Sequence, residues 1–599
     1  MTSANILSLS RREHLIVGAM WAALTVLFIL LNRHAIASMS LPDSDDYLRL
    51  QQVRDWLAGQ DWFDVTQHRI NPPVGGILHW SRLVDIPIAL GLLALKPLIG
   101  QANAELVVAL ALPAIVMALA MWLVATITAK LVNRTWAPLA AASVPLSALI
   151  YSQIMPLRID HHGWQMVMAL VVFWALLDET HKRRGGVIAG IAAACWLNIS
   201  LEGFPVITCA AAVLGVRWLL DGREAPRLQA YLWALTLTSF TLETLTMPRA
   251  WIAVECDRVS QPYFVAFAIA SAAALSLQAK LFADLRLRAV FGVVVGAAVA
   301  GAFFTGGAQC FAGPFRGLEP IVRTLWLDEV GESKPLIERG IGAFIASGGF
   351  WLVALLGAIQ ATRGATGEQR LRWITALTLI TASGALMFVL SRTGAVAHAF
   401  AAPAAAFAGY ALFTRARAIQ FMPTRTVLTA LALAIATPAL LRPALQLDAA
   451  THMVARGPSC TVDAATLAAL PTSTLFTPID MGAAVIVRSA HSVVATPHHR
   501  NHAAIGDVLT AFTAEPREAL ARIAAHRAAY VVMCPTSPDV VSYISAAPNG
   551  FAARLAAGQT VAGLTPVNVG GQSGLLVFAV DNAQQDDLRG RLAFNETTP

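Results

Sequence analysis

Thirteen stretches of this chain stay apolar over about the 17–25 residues that a helix needs to cross a bilayer. They run 14–32, 104–129, 136–153, 163–179, 186–200, 204–220, 228–246, 262–280, 288–306, 341–361, 373–390, 397–414 and 426–444, and 186–200 is the shortest. The pattern predicts a polytopic α-helical membrane protein with about 13 transmembrane helices. After residue 444 it changes. Apolar runs shrink to 484–487, 492–495, 529–533 and 575–580, and a polar-faced helix is predicted near 516–527. Such alternation predicts a small α/β domain over 445–599, behind a transmembrane domain over 1–444.

Composition agrees with the pattern. Of the 599 residues 56% are hydrophobic and 13% charged, with a mean hydropathy of +0.60, a balance that excludes a wholly soluble chain. The net charge of +7 does not point to nucleic acid, because the basic residues fall in alternate connections. Arg11 and Arg12 precede the first run. Lys130 and Arg134, Lys182 to Arg184, Arg223 and Arg227, Arg286 and Arg288, Arg363 to Arg372, and Arg415 to Arg425 follow on the same side. The positive-inside rule makes that side cytoplasmic. In a bacterium this predicts an inner-membrane, multi-pass protein with a cytoplasmic N-terminus and a periplasmic tail. The first run, with no small-residue cleavage site after it, reads as a retained helix. Residues 83–99 are apolar but broken by Pro87, Lys96 and Pro97, so 33–100 reads as one external loop carrying an interfacial helix. A second long external loop covers 307–340. Cys460 with Cys534, and Cys256 with Cys310, are candidate disulfides on the external side, whereas Cys195 and Cys209 lie inside apolar runs.

The opposite connections hold most of the acids, and the candidate chemistry with them. Pro42-Asp43-Ser44-Asp45-Asp46-Tyr47-Leu48-Arg49 puts three carboxylates in four positions just after the first helix. Like charges so close repel unless a cation sits among them. Arg158-Ile159-Asp160-His161-His162 follows the third run, and Asp160 with His162 suits a divalent ion such as Mg²⁺ or Mn²⁺. The competing reading is a helix-start acid beside interfacial histidines. Asp328-Glu329-Val330-Gly331-Glu332-Ser333-Lys334-Pro335 lies in the second long loop, a length usual for lids and binding elements. Ser391-Arg392 offers a cation for a lipid phosphate, or a snorkelling arginine. Thr496-Pro497-His498-His499-Arg500-Asn501-His502 in the tail reads either as a metal or acceptor loop or as a polar surface loop.

The order of these motifs resembles the catalytic subunit of oligosaccharyltransferases, including the single-subunit bacterial and archaeal enzymes, which are GT-C glycosyltransferases. The resemblance covers the membrane part as pattern. It implies that Asp43, at the spacing of the family's Asp-Pro-x-x-x-x-Arg motif ending here at Arg49, binds the metal, with Asp45 and Asp46 as neighbouring catalytic candidates. It implies Asp160 and His162 as further ligands, with His161 beside them. Glu332, followed three residues later by Pro335, matches the family's Glu-x-x-Pro loop better than Glu329 does and would engage the acceptor. Arg392 would contact the donor's phosphates, with Arg158 as a second cation. The family's Trp-Trp-Asp-Tyr-Gly reads here Phe476-Thr477-Pro478-Ile479-Asp480-Met481-Gly482. Asp480 and Gly482 remain, but the tryptophans that accompany sequon recognition do not.

The expectation is a metal-dependent transferase. It would move a sugar or oligosaccharide from a polyprenyl-(pyro)phosphate donor, lying in membrane lipid, to a glycan, lipid or protein acceptor outside. A protein oligosaccharyltransferase proper is one alternative. A cation-coupled transporter or flippase is another, disfavoured because transporter sites lie near the midplane and the central runs carry few charges, Glu202 and Glu243 sitting near run ends. A non-catalytic scaffold would tolerate loss of all the acidic motifs.

Overall fold

The computed structural model describes residues 9–247, 252–446, 460, 462, 464–569 and 574–581; the predicted tail residues 447–459 and 582–599 lie outside them. By its contacts the chain forms two compact units. One comprises 1–40, 81–314 and 332–452; the other comprises 41–80, 315–331 and 453–599.

The first unit is helical. All the apolar runs fall on helices or bent helix pairs. Among the described residues seven helices are long and apolar enough to cross a membrane, or up to nine if the bent pairs Ala137–Leu146 with Ala148–Ile154 and Met422–Ile435 with Pro438–Ala444 each count once. His162–Leu176 and Gln261–Ala274 are shorter apolar helices. Lys182–Ile199 and Ala225–Thr246 are long but less apolar. The run at 83–99 forms the helix Asp85–Ile99, which buries Ile88, Ala89 and Leu92 and exposes Leu90, Leu93 and Leu98.

Small residues hold this unit together. Helix Gly394–Arg417 is alanine-rich and buries Ala397, Ala399, Phe400, Ala401 and Ala404 completely. Helix Gly349–Gly364 comes so close to it that a Cβ on Gly357 would stand 2.5 Å from the Ala404 carbonyl. The shortest run, 186–200, forms a helix packed on Ala225–Thr246 through Gly186 and Gly190, where added Cβ atoms would meet the carbonyls of Arg227 and Tyr231 at 2.3 and 2.5 Å. Helices pack in lipid through such close approach, since burial of apolar surface gains little there. Low hydropathy in this run therefore marks a helix–helix seam. By contrast Leu285–Gly306 exposes Val290, Val293, Val294 and Phe304, as a lipid-facing helix does.

The second unit is α/β. Two short strands, β1 (Thr66–Gln67) and β2 (Gly76–Ile77), pair antiparallel. A five-stranded sheet follows, made of β3 (Thr474–Phe476), β4 (Ser492–Val493), β5 (Tyr530–Met533), β6 (Leu564–Pro566) and β7 (Leu576–Val580), in the order β4-β3-β5-β7-β6. β3 pairs parallel to β4 and β5, and β7 antiparallel to β5 and β6. The apolar run 484–487 belongs to the helix Ile479–Arg488, and the predicted helix near 516–527 is Pro516–Ala525. One core joins β3 and β5 to helix His502–Thr513 and to Val322 and Trp326 of the second loop. Another joins Leu48, Ile70, Leu78 and Trp80 of the first loop to Leu475, Val485 and Val532. Much of both loops thus belongs to the α/β unit. Cys256–Cys310 and Cys460–Cys534 are both disulfides, and Cys195 and Cys209 are free.

Gly190→Leu is expected to push Lys182–Ile199 off its neighbour at a cost of about 1–3 kcal/mol. A lower melting temperature and aggregated elution in detergent would show it, with Gly190→Ala milder; an unchanged melting temperature would refute the seam.

Candidate functional site

Within the helical unit, the chain reverses at Leu157, whose φ of 74° is unusual for a leucine and whose N–H donates to the Ala109 carbonyl at 3.0 Å. Arg158 follows and pairs with Asp160, Nη2 to Oδ2, at 2.8 Å. The other Asp160 oxygen accepts the His162 backbone N–H at 3.0 Å; Asp160 lies one residue before the N-cap His161 of helix His162–Leu176, whose positive dipole end favours a carboxylate. All of these side chains are buried, Asp160 and His162 each to 3% exposure. His161 stacks on His162 with ring centres 4.2 Å apart. His162 Nε2 lies 4.0 Å from Asp160 Oδ2. Two ligands each about 2.1 Å from one ion lie no more than about 4.2 Å apart, so this spacing is at the upper limit for sharing a cation. The Gln165 side-chain amide lies 2.9 Å from Nδ1. The atom facing Nδ1 is the amide nitrogen, which donates to the ring.

Arg392 occupies a turn in the same unit. Its Nε lies 2.5 Å from Glu202 Oε1. Ser391 beside it donates from Oγ to the Glu332 carbonyl at 3.0 Å and from N–H to the Lys334 carbonyl at 3.1 Å. Glu332 and Arg392, 60 positions apart in the chain, are thereby brought together. A narrow cavity lined by Gln165, Trp196, Glu202 and Thr393 runs between the His162 support and the Arg392 turn.

The other candidates lie in the α/β unit. Asp43 is the N-cap of helix Ser44–Leu57, its Oδ1 accepting the Asp45 N–H at 3.2 Å and the Ser44 hydroxyl at 3.0 Å. Asp45 is half-buried; Asp46 and Arg49 are fully buried, with the Arg49 guanidinium 4.9 Å from the centre of the Trp80 ring. Glu329 sits in a short 3₁₀ turn of the second loop. Helix Ser44–Leu57 packs on Ile479–Arg488, and first-loop arginines cap that helix's C-terminal end. Arg69 donates to the carbonyls of Ile486 and Ser489 at 2.7 and 2.8 Å, and Arg54 to that of Val487 at 2.8 Å. This docking sets Asp43 near Asp480, in the first turn of the tail helix. Crowding by protein, then the charges of Asp539 and Asp43, push the Asp480 carboxyl up to about 7, although the residue keeps contact with solvent. Asp539 is raised too, first by burial, against hydrogen bonds from Ser537 and the backbone of Val540. Gly482 is required because any Cβ there would lie 2.2 Å from the Ala495 carbonyl.

Sequence reasoning missed Glu202 as the partner of Arg392 and Asp539 as the partner of Asp480. An acid in a helix's first turn is so common that neither carried a distinct signal.

No protein-family model matches the sequence, and no curated protein does. Solved structures match by shape. The archaeal oligosaccharyltransferase AglB from Archaeoglobus fulgidus, in complex with an inhibitory peptide and a dolichol-phosphate, aligns at a TM-score of 0.65 and 14% identity over 95% of this chain and 74% of that one. The same organism's oligosaccharyltransferase tethered to an acceptor peptide containing the NVT sequon gives 0.66 and 16% over 96% and 75%. Its complex with Zn and sulfate gives 0.64 and 14% over 95% and 73%. The chain shares the GT-C fold of these structures over most of its length and is a polytopic membrane protein.

Asp480 predicts a pH dependence. Its folded value of about 7 lies above the ordinary 3.8, so the folded state holds the proton more tightly. Stability from this group is full below about pH 4 and is lost as pH rises towards 7. In chelator-treated protein, Asp480→Asn is expected to stabilise the fold at pH 8 and not at pH 4, by about 1 kcal/mol or less because solvent screens the group. Melting curves at the two pH values check this.

Proposed function

We propose that the protein is a metal-dependent glycosyltransferase, moving a sugar or oligosaccharide from a polyprenyl-(pyro)phosphate donor to a glycan, lipid or protein acceptor on the external face of the membrane. The observation that carries this reading is the buried Asp160–His162 pair at a helix start, in a chain with the AglB fold over nearly its whole length. A carboxylate oxygen and an imidazole nitrogen within reach of one cation fit Mg²⁺ or Mn²⁺. Asp43, Asp160 and His162 are the proposed holders of that ion, which would supply positive charge against the leaving phosphate.

The chain's own residues do the rest. Arg392 and Arg158 bind the donor's phosphate oxygens, trading or sharing their present carboxylate partners Glu202 and Asp160. Glu332, with Glu329 near it in sequence, orients the acceptor, and Asp45 helps to take its proton. Buried Asp46 and Arg49 fix the first turn behind Asp43 rather than touch substrate. Asp480 and Asp539 offer hydrogen-bond acceptors to the acceptor molecule. Without tryptophans before Asp480, that molecule need not be a sequon peptide. In a bacterium the donor would lie in the inner membrane and the α/β unit in the periplasm.

Asp43→Ala and Asp160→Asn are each expected to cut consumption of a polyprenyl-pyrophosphate-linked sugar at least ~100-fold in proteoliposomes, with normal elution in detergent. Chelation should do the same, and Mn²⁺ should restore activity. Full activity in Asp43→Ala refutes the assignment; ion-driven uptake into sealed vesicles without sugar transfer would favour a transporter.

A further inference from the structure

We infer that the α/β unit holds a second metal site, built from His79, His498 and His499 and suited to a borderline transition-metal ion such as Zn²⁺. The three imidazoles each offer a nitrogen, and these atoms all lie within 4.8 Å of one another. His79 Nδ1 and His498 Nε2 are 3.1 Å apart. Four-coordinate zinc, with metal–nitrogen bonds of about 2.0–2.1 Å, sets its ligand nitrogens about 3.3 Å apart. The ring centres form a near-regular triangle, 5.1 Å for His79–His498, 4.9 Å for His79–His499 and 5.1 Å for His498–His499.

The surroundings hold this triangle in place. His498 is buried, its ring met edge-on by Trp80 at 5.4 Å, and Phe315 meets His499 edge-on at 5.5 Å. The tail loop is fixed by the Asn501 backbone N–H donating to the His498 carbonyl at 2.9 Å and by the Asn501 side chain donating to Val494 at 3.3 Å. The first loop is fixed on β4, where Asn71 donates to the Val493 carbonyl at 2.7 Å and Val493 to that of Arg69 at 2.8 Å. Two segments 419 positions apart therefore bring their rings together. His79 and His499 are half-buried, which leaves a fourth position for water. Three imidazoles with no carboxylate among them select Zn²⁺, Cu²⁺ or Ni²⁺ over Mg²⁺ or Mn²⁺. The site differs in chemistry from the carboxylate-bearing one, and a bound ion would staple the first loop to the tail.

The test uses the full chain, purified in detergent and stripped with chelator, with Zn²⁺ as the probe. The wild type is expected to bind one more Zn²⁺ than the double variant His79→Gln/His499→Gln, by calorimetry and elemental analysis, and to gain several degrees in melting temperature on adding Zn²⁺ where the variant gains none. Asp160→Asn should keep this ion, and so should His14→Gln, an exposed histidine serving as control. Co²⁺ added to the wild type should show the visible absorption of a four-coordinate imidazole site, a readout that needs no variant. Equal Zn²⁺ binding in wild type and double variant, loss of the ion in Asp160→Asn, or absence of the Co²⁺ band would overturn the proposal.

Discussion

Several carboxylates inside the helical unit are answered by arginine. Asp160 is held by Arg158, Glu202 by Arg392, and Glu179 by both Arg217 and Arg227, at 2.5–2.9 Å. A buried carboxylate without such a partner would cost several kcal/mol. The pairs differ in how closed they are. The Glu179 cluster is the larger one: Arg227 also donates to the Leu176 carbonyl, and Glu224 pairs with Lys182. It lies just beyond the end of helix His162–Leu176 and ties helices together. Asp160 stands at the start of the same helix with one carboxylate edge turned to a histidine nitrogen. One helix thus carries an ion cluster at each end, the one at its start being the smaller. Arg392 with Glu202 is a second small pair.

The α/β unit solves a different problem. A carboxylate-rich loop after a membrane helix has no reason to hold a shape by itself. Here its arginines satisfy the end carbonyls of the helix Ile479–Arg488, and its apolar residues enter the tail's core. That docking sets the Asp43 N-cap near Asp480, whose carboxyl is raised first by burial and then by the charges of Asp539 and Asp43. The same docking carries His79 to the tail's His498 and His499.

Much of this was legible in the sequence, and the reasons are physical. Helix positions follow from apolar run length, so the runs fall on helices, the stretch 83–99 forms the helix Asp85–Ile99, and a small sheet lies in the C-terminal part. The closeness of Arg158, Asp160 and His162 was legible because they lie within five positions of one another. The docking of the first loop on the tail was not, because it rests on backbone carbonyls, which any sequence has. Arg227 read as a loop charge from the count of basic residues, yet it is fully buried and paired; local sequence does not reveal a partner 48 positions away. The run 186–200 is short and weakly apolar for a related reason: glycines that lower hydropathy are what let its backbone approach a neighbour.

The central claim is that one divalent ion is shared by groups from separate stretches of the chain. Pulsed electron paramagnetic resonance of Mn²⁺ bound to the stripped protein tests it most directly. The account predicts a single histidine-nitrogen coupling that disappears in His162→Asn, and weaker Mn²⁺ binding in both Asp43→Asn and Asp160→Asn. A nitrogen coupling that survives in His162→Asn, or Mn²⁺ affinity untouched by Asp43→Asn, would contradict it.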